Sequence, residues 1–202
     1  MEASPPTTDR LEAFSDGVFA VAATLLVLNL SAHVGKGQRL ADALGSEWPH
    51  YATYVVSFLT IGIIWLNHHV TFNRIARTDR TLMVLNLVLL MFVTLTPFPT
   101  GLLAQYLNSG SNEIVAAAFY ATTMLAMSIA FFSIYVWAAR RRLFADEIDD
   151  RHAGYLLRRN GAGLLVYAAA IALAFVSAPV SLGLCGLVAI YYLLPARAPT
   201  PA

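Results

Sequence analysis

Charge is scarce in this 202-residue chain: Asp, Glu, Lys and Arg make up 12% of it, against about 25% in an ordinary soluble domain. The 13 basic and 12 acidic side chains leave a formal net charge of +1. That balance excludes a bulk electrostatic attraction to nucleic acid. A single cysteine, Cys185, rules out an internal disulfide, and its apolar surroundings suit a small buried hydrophobe. There is no Walker loop, GxSxG, HExxH or CxxC, so no enzymatic motif is present. There is no Arg-rich voltage-sensing helix and no TVGYG filter either. Metal ligation finds no donor set. His68 and His69 are neighbours and point about 100° apart on a helix, with no cysteine or second acid beside them.

What the chain has in excess is apolar length. Hydrophobic residues are 58% of it and the mean hydropathy is +0.63. A membrane span needs about 20 apolar residues. Six candidate stretches appear, near 11–31, 49–73, 81–105, 113–139, 156–177 and 180–194. The last is short, and Pro179 with its small neighbours suits a tight turn between antiparallel helices. Residues 1–9 are polar and Pro-rich and read as a disordered tail, without the basic start of a secretory signal. A six-helix membrane domain over 10–195 and a short tail over 196–202 complete the division. The fold class expected is all-α, with no soluble domain.

Basic residues set the orientation. Arg74, Arg77 and Arg80 lie between the second and third spans, and Arg140, Arg141, Arg142, Arg151, Arg158 and Arg159 lie around the junction of the fourth and fifth. The loops on the other side hold only Lys36 and Arg39. Six spans with both termini cytoplasmic satisfy this pattern. "QRLADALGSEW" on the outer side reads as a short interfacial helix, and "RLFADEIDDRHAGYLLRR" as a solvated inner linker or a helical extension. Tyr51, Tyr54, Tyr106, Tyr191 and Tyr192 read as interface anchors. Pro97 and Pro99 interrupt the third span, where Thr94, Thr96 and Thr100 are placed to satisfy the freed backbone groups.

The polar residues inside spans carry most information. Asp16 lies about 9 Å along the first helix from Arg10, just inside the inner boundary. A carboxylate there requires partners. Arg10, Ser15 and the histidines of span two are the nearest by sequence. Trp65, Asn67, His68 and His69 occupy the inner end of span two. The two antiparallel helices therefore bring carboxylate and imidazoles to one depth, as a polar network would need. Beyond Asp16 the first span is apolar. Spacing of three and four aligns Phe14, Gly17, Val21, Thr24 or Leu25, and Leu28 on one face. Periodicity does not separate a packing face from a pore wall that closes by dewetting.

The segment Arg10-LEA-Phe14-Ser15-Asp16-Gly17-Val18-Phe19-Ala20-Val21-Ala22-Ala23-Thr24-Leu25-Leu26 resembles the signature of the transmembrane protein 175 family of potassium channels, in its prokaryotic single-repeat branch. The W-x-x-H-H piece on span two, the length and the six-span layout extend the likeness. The resemblance implies a homotetramer in a prokaryotic cell membrane, with the first helix of each subunit lining a pore. Its partners would be further copies of the chain, potassium ions and lipids, with no nucleic acid. It would need no cofactor beyond the permeant ion. It implies a structural role for Arg10, Phe14, Ser15 and Asp16, supported by Trp65, Asn67, His68 and His69. The family's hydrophobic gate, usually Ile, falls on Val21, with Leu25 and Leu28 in the next layers and Thr24 offering a hydroxyl ring. The competing reading is a proton-coupled transporter that uses Asp16 and His68 or His69 as a relay.

Overall fold

A computed structural model of the chain describes residues 8–31, 37–107, 109–145 and 150–193. Helix α1 (Thr8–Leu25) tightens into a 3-10 turn over Leu26–Asn29. Then come α2 (Leu40–Ser46), α3 (Trp48–Phe72), α4 (Arg80–Leu95), α5 (Pro97–Tyr106), α6 (Ser111–Arg140), α7 (Asp150–Ala174) and α8 (Ala178–Leu193). Helix α1 starts two residues inside the stretch expected to be tail, and the remainder of both expected tails lies outside the described residues.

Among the described residues, four segments are long and apolar enough to cross a membrane: Arg10–Asn29, Trp48–Phe72, Arg80–Tyr106 and Ser111–Arg140. The fifth expected span falls within α7, whose apolar part is Gly161–Ala174, and the sixth is the short apolar helix Ala178–Leu193. At 1.5 Å per residue the 16 residues of α8 reach about 24 Å, less than a typical hydrocarbon core. The two helices are tied to each other. Ser181 Oγ donates to the Ala170 carbonyl at 2.8 Å, and the Gly163 N–H donates to Tyr192 Oη at 3.1 Å. Tyr192 is thus a packing residue as much as an interface anchor, and Tyr54 and Tyr106 are likewise partly buried against the core.

The third span is two helices. Pro97 and Pro99 donate no hydrogen bond, and the α-helix stops at Leu95 and restarts at Pro97. Threonine hydroxyls cover the carbonyls around the break. Thr94 donates to Leu90, Thr96 to Phe92 at 3.0 Å, and Thr100 to Thr96 at 2.8 Å. The Pro97 carbonyl accepts from Asn29 Nδ2 at 2.8 Å, which joins the end of the first span to the break. A Cβ at Gly101 would come within 2.7 Å of Asn29 Oδ1, so a larger residue there would have to displace the Asn29 side chain. Below the break, Ser57 of α3 bonds both Thr100 of α5 (2.8 Å) and Tyr120 of α6 (3.0 Å), all buried. Helix α6 packs against α4, α5, α7 and α8, with Tyr120, Met124, Met127 and Ile134 in its core.

At the arginine-rich end two loops distant in sequence pair. Ile75 and Phe144 form an antiparallel bridge. The Ala76 N–H donates to the Leu143 carbonyl (2.8 Å) and the Ala145 N–H to the Arg74 carbonyl (2.9 Å). Asp79 caps α4 by accepting from the Leu82 N–H at 2.7 Å, and it also accepts from the Trp137 indole at 2.9 Å. Helix α6 ends in a Schellman turn, with Leu143 N–H to the Ala138 carbonyl and Arg142 N–H to the Ala139 carbonyl. Arg142 occupies the left-handed position of that turn at φ 51°, where glycine is usual. Arg142→Gly is therefore expected to raise stability by about 1 kcal/mol, read as a higher thermal midpoint in detergent. An unchanged or lower midpoint would show that the arginine makes a compensating contact.

Candidate functional site: the first helix and its polar clamp

Residues advance 100° per step around a helix, so Ser15, Phe19, Ala22 and Leu26 share one face. All four are buried in the chain's own bundle. The opposite face carries Gly17, Val21, Thr24 and Leu28, all exposed. Val21 is 57% exposed and Leu28 74%. Phe14 and Leu25 border this face and are also exposed. One side of α1 is thus occupied by the rest of the chain and the other is bare and almost wholly apolar. Thr24 is its polar exception, and its hydroxyl proton goes to the Val21 carbonyl at 2.8 Å.

The clamp lies near the arginine-rich end, and its centre is Asn86, in the middle of α4. Asn86 Nδ2 donates to Ser15 Oγ at 2.9 Å, and Ser15 in turn donates to the Leu11 carbonyl at 2.8 Å. Asn86 Oδ1 pairs with His68 Nε2 at 2.8 Å. Because the amide nitrogen is committed to Ser15, its oxygen must accept, which fixes the His68 tautomer with the proton on Nε2. His68 is fully buried, stacked on Phe72 with centroids 4.1 Å apart and tilted against Phe19 at 5.4 Å. One directional chain of hydrogen bonds thus links α3, α4 and α1.

Asp16 stands beside this chain. Its Oδ1 accepts from Trp65 Nε1 at 2.8 Å. The partners expected from sequence were Arg10, Ser15 and the histidines. Ser15 instead turns one position round the helix to Asn86, and Arg10 is exposed with no ion pair among the described residues. Asn67 does not join the network. Its Nδ2 returns to the Ile63 carbonyl of its own helix at 2.9 Å, and it faces a cavity of about 40 Å³ shared with Thr60, Ser128 and Tyr167. His69 is exposed and stacks on the Trp65 ring at 6.3 Å. Asn86 was not legible as a member. A lone amide within "LMVLNLVLLM" signals that some partner exists, without indicating which helix supplies it. No group of three or more His, Cys, Asp or Glu able to hold a metal occurs among the described residues.

Fold and site together define a polytopic helical membrane protein whose first helix is clamped at one end and bare along one side. Residues 10–97 match the model of the family described as "Endosomal/lysosomal potassium channel TMEM175". A protein named as a potassium channel from Streptomyces collinus is 48% identical over 186 residues, 91% of this chain and 90% of that one. Another from Chamaesiphon minutus is 41% identical over 195 residues, 95% of this chain and 96% of the relative. The crystal structure of a lysosomal potassium-selective channel TMEM175 homolog from Chamaesiphon minutus superimposes with a TM-score of 0.85 at 40% identity, covering 95% of this chain and 98% of that one. The chain belongs to the TMEM175 family. Its members are channels and not enzymes, and the bacterial relatives and apolar helices make this a prokaryotic membrane protein.

Proposed function

We propose that this chain is the subunit of a potassium-preferring cation channel. Four copies surround a pore lined by α1, and potassium moves passively down its gradient. The observation that carries the reading is the two-sided burial of α1. Ser15, Phe19, Ala22 and Leu26 pack inward, while Val21, Thr24 and Leu28 remain bare. A bare apolar helix face in a chain akin to potassium channels is suited to other copies of itself around an axis. Val21 is the gate: four valines at that level exclude water when close and admit it when the helices part. Leu25 and Leu28 form further apolar layers. The Thr24 oxygens, with protons already donated to backbone, accept a partly dehydrated cation. The arginine-rich end with both termini faces the cytoplasm. The membrane domain spans 10–195 between its tails, and no prosthetic group enters the mechanism.

The clamp is structural in this reading. Ser15 and Asp16, with Trp65, His68 and Asn86, hold the inner end of α1 so that a movement of the outer part can change the bore. The exposed Arg10 and Phe14 make no contact in it among the described residues. The transporter alternative is disfavoured by the same geometry. Asp16 is held by an indole that does not exchange protons, and His68 is enclosed between Phe19 and Phe72.

Thiol scanning tests the reading. The native Cys185 is fully buried and gives little background. Modification of Val21→Cys, Thr24→Cys or Leu28→Cys with a water-soluble thiol reagent should reduce potassium flux in liposomes. The same reagent on Val115→Cys, a 69% exposed position in the second turn of α6, should leave flux unchanged. Equal block at Val115 and α1, or none at α1, would contradict the lining assignment.

A further inference from the structure

The arginine-rich end carries a surface that the channel reading does not use. The bridge between Ile75 and Phe144 fixes two loops side by side, and with them Arg77 and Arg80 from one connection and Arg140 and Arg142 from the other. All four side chains are exposed, and none has an ion pair among the described residues. The acid nearest to them in these turns, Asp79, is already engaged by the Trp137 indole and the cap of α4. Trp137 itself carries the Arg141 guanidinium 5.4 Å above its ring and lies at the end of a membrane-length helix, the level where tryptophan meets headgroups. Arg142 is kept in a backbone position that favours glycine, with its side chain exposed.

We infer that the paired loops form a docking site for anionic lipid headgroups of the phosphatidylglycerol class. Guanidinium groups bind phosphate oxygens in fork geometry, and clusters of basic residues just outside membrane helices attract acidic lipid. The patch sits at the membrane boundary and is held by backbone hydrogen bonds, so binding costs little ordering of the loops. Headgroup binding there would brace α3, α4 and α6 at one end of the bundle. This inference does not depend on the channel reading.

The test uses the purified full chain in micelles containing equimolar phosphatidylglycerol and phosphatidylcholine, with retained lipid counted by mass spectrometry of the intact complex. The expected result is a preference for phosphatidylglycerol on the order of tenfold. It should fall to parity in the combined variant Arg77→Gln, Arg80→Gln, Arg140→Gln and Arg142→Gln. It should persist when the same four become lysine, which keeps the charge and shows that the folded protein is being read. Parity in the native chain would overturn the inference, as would a preference unchanged in the glutamine variant. Displacement of the lipid by inorganic phosphate alone would also overturn it, by making the ligand a soluble anion. A preference appearing only after Asp146, Glu147, Asp149 and Asp150 are neutralised would overturn it as well, because the chain's own acids would then occupy the patch.

Discussion

Replacing Asn86 by alanine is expected to cost about 2–4 kcal/mol of stability, and to reduce the yield of a single well-defined species in detergent. The amide serves two neighbours at once, His68 on α3 and Ser15 on α1. Without it the His68 Nε2–H is left buried with nothing to donate to, and a void replaces the side chain. Ser15 retains the Leu11 carbonyl and loses only a donor. The comparison that makes the result specific is Asn67→Ala. Asn67 sits beside His68 in sequence and bonds only its own helix, so its loss should cost under about 1 kcal/mol. Thermal unfolding of the two variants in one detergent distinguishes them. Equal midpoints would mean that Asn86 does not organise the clamp.

Val21→Asn is expected to raise resting potassium leak by on the order of tenfold, equivalent to about 1.4 kcal/mol off the barrier. Val21 lies on the bare face of α1, opposite the buried face that carries Ser15, so the substitution leaves the bonds of Ser15 and Asp16 to their partners in place. An amide at the constriction holds water where valine repels it, and a dewetted barrier depends on that repulsion. The check is potassium flux from liposomes at matched protein density. Leak equal to that of the native chain would remove Val21 from the gate, and assembly equal to that of the native chain would confirm that folding is unaffected.

Much of this molecule can be read from its sequence, and the parts that cannot share a cause. The second and fourth spans fall within two residues of their expected limits, because a long apolar run bounded by polar residues is a local signal. The break at Pro97 is local too, since proline removes its own donor and nearby threonines can supply replacements. Asp16 and Ser15 stood out as polar groups in an apolar helix, but adjacent residues on a helix diverge by about 100° and so meet different neighbours. Asp16 meets Trp65 and Ser15 meets Asn86, a division set by how α3 and α4 dock on α1. Asn86, the bridge between Ile75 and Phe144, and the hydroxyl group of Ser57, Thr100 and Tyr120 all join residues far apart along the chain. Hydrophobic periodicity carries no information about such pairs. The charged stretch before the fifth span reads as linker or helical extension, and α7 begins within it at Asp150, because arginine and leucine are good helix formers.

The central claim is that this chain alone forms a passive, potassium-preferring pore. The most direct test is current recording from the purified chain in a planar bilayer, with potassium on one side, sodium on the other and no pH difference. The account predicts step-like currents whose reversal potential lies toward the potassium equilibrium value and does not move when a proton gradient is imposed. An electrically silent bilayer, or a reversal potential that follows the proton gradient, would contradict it.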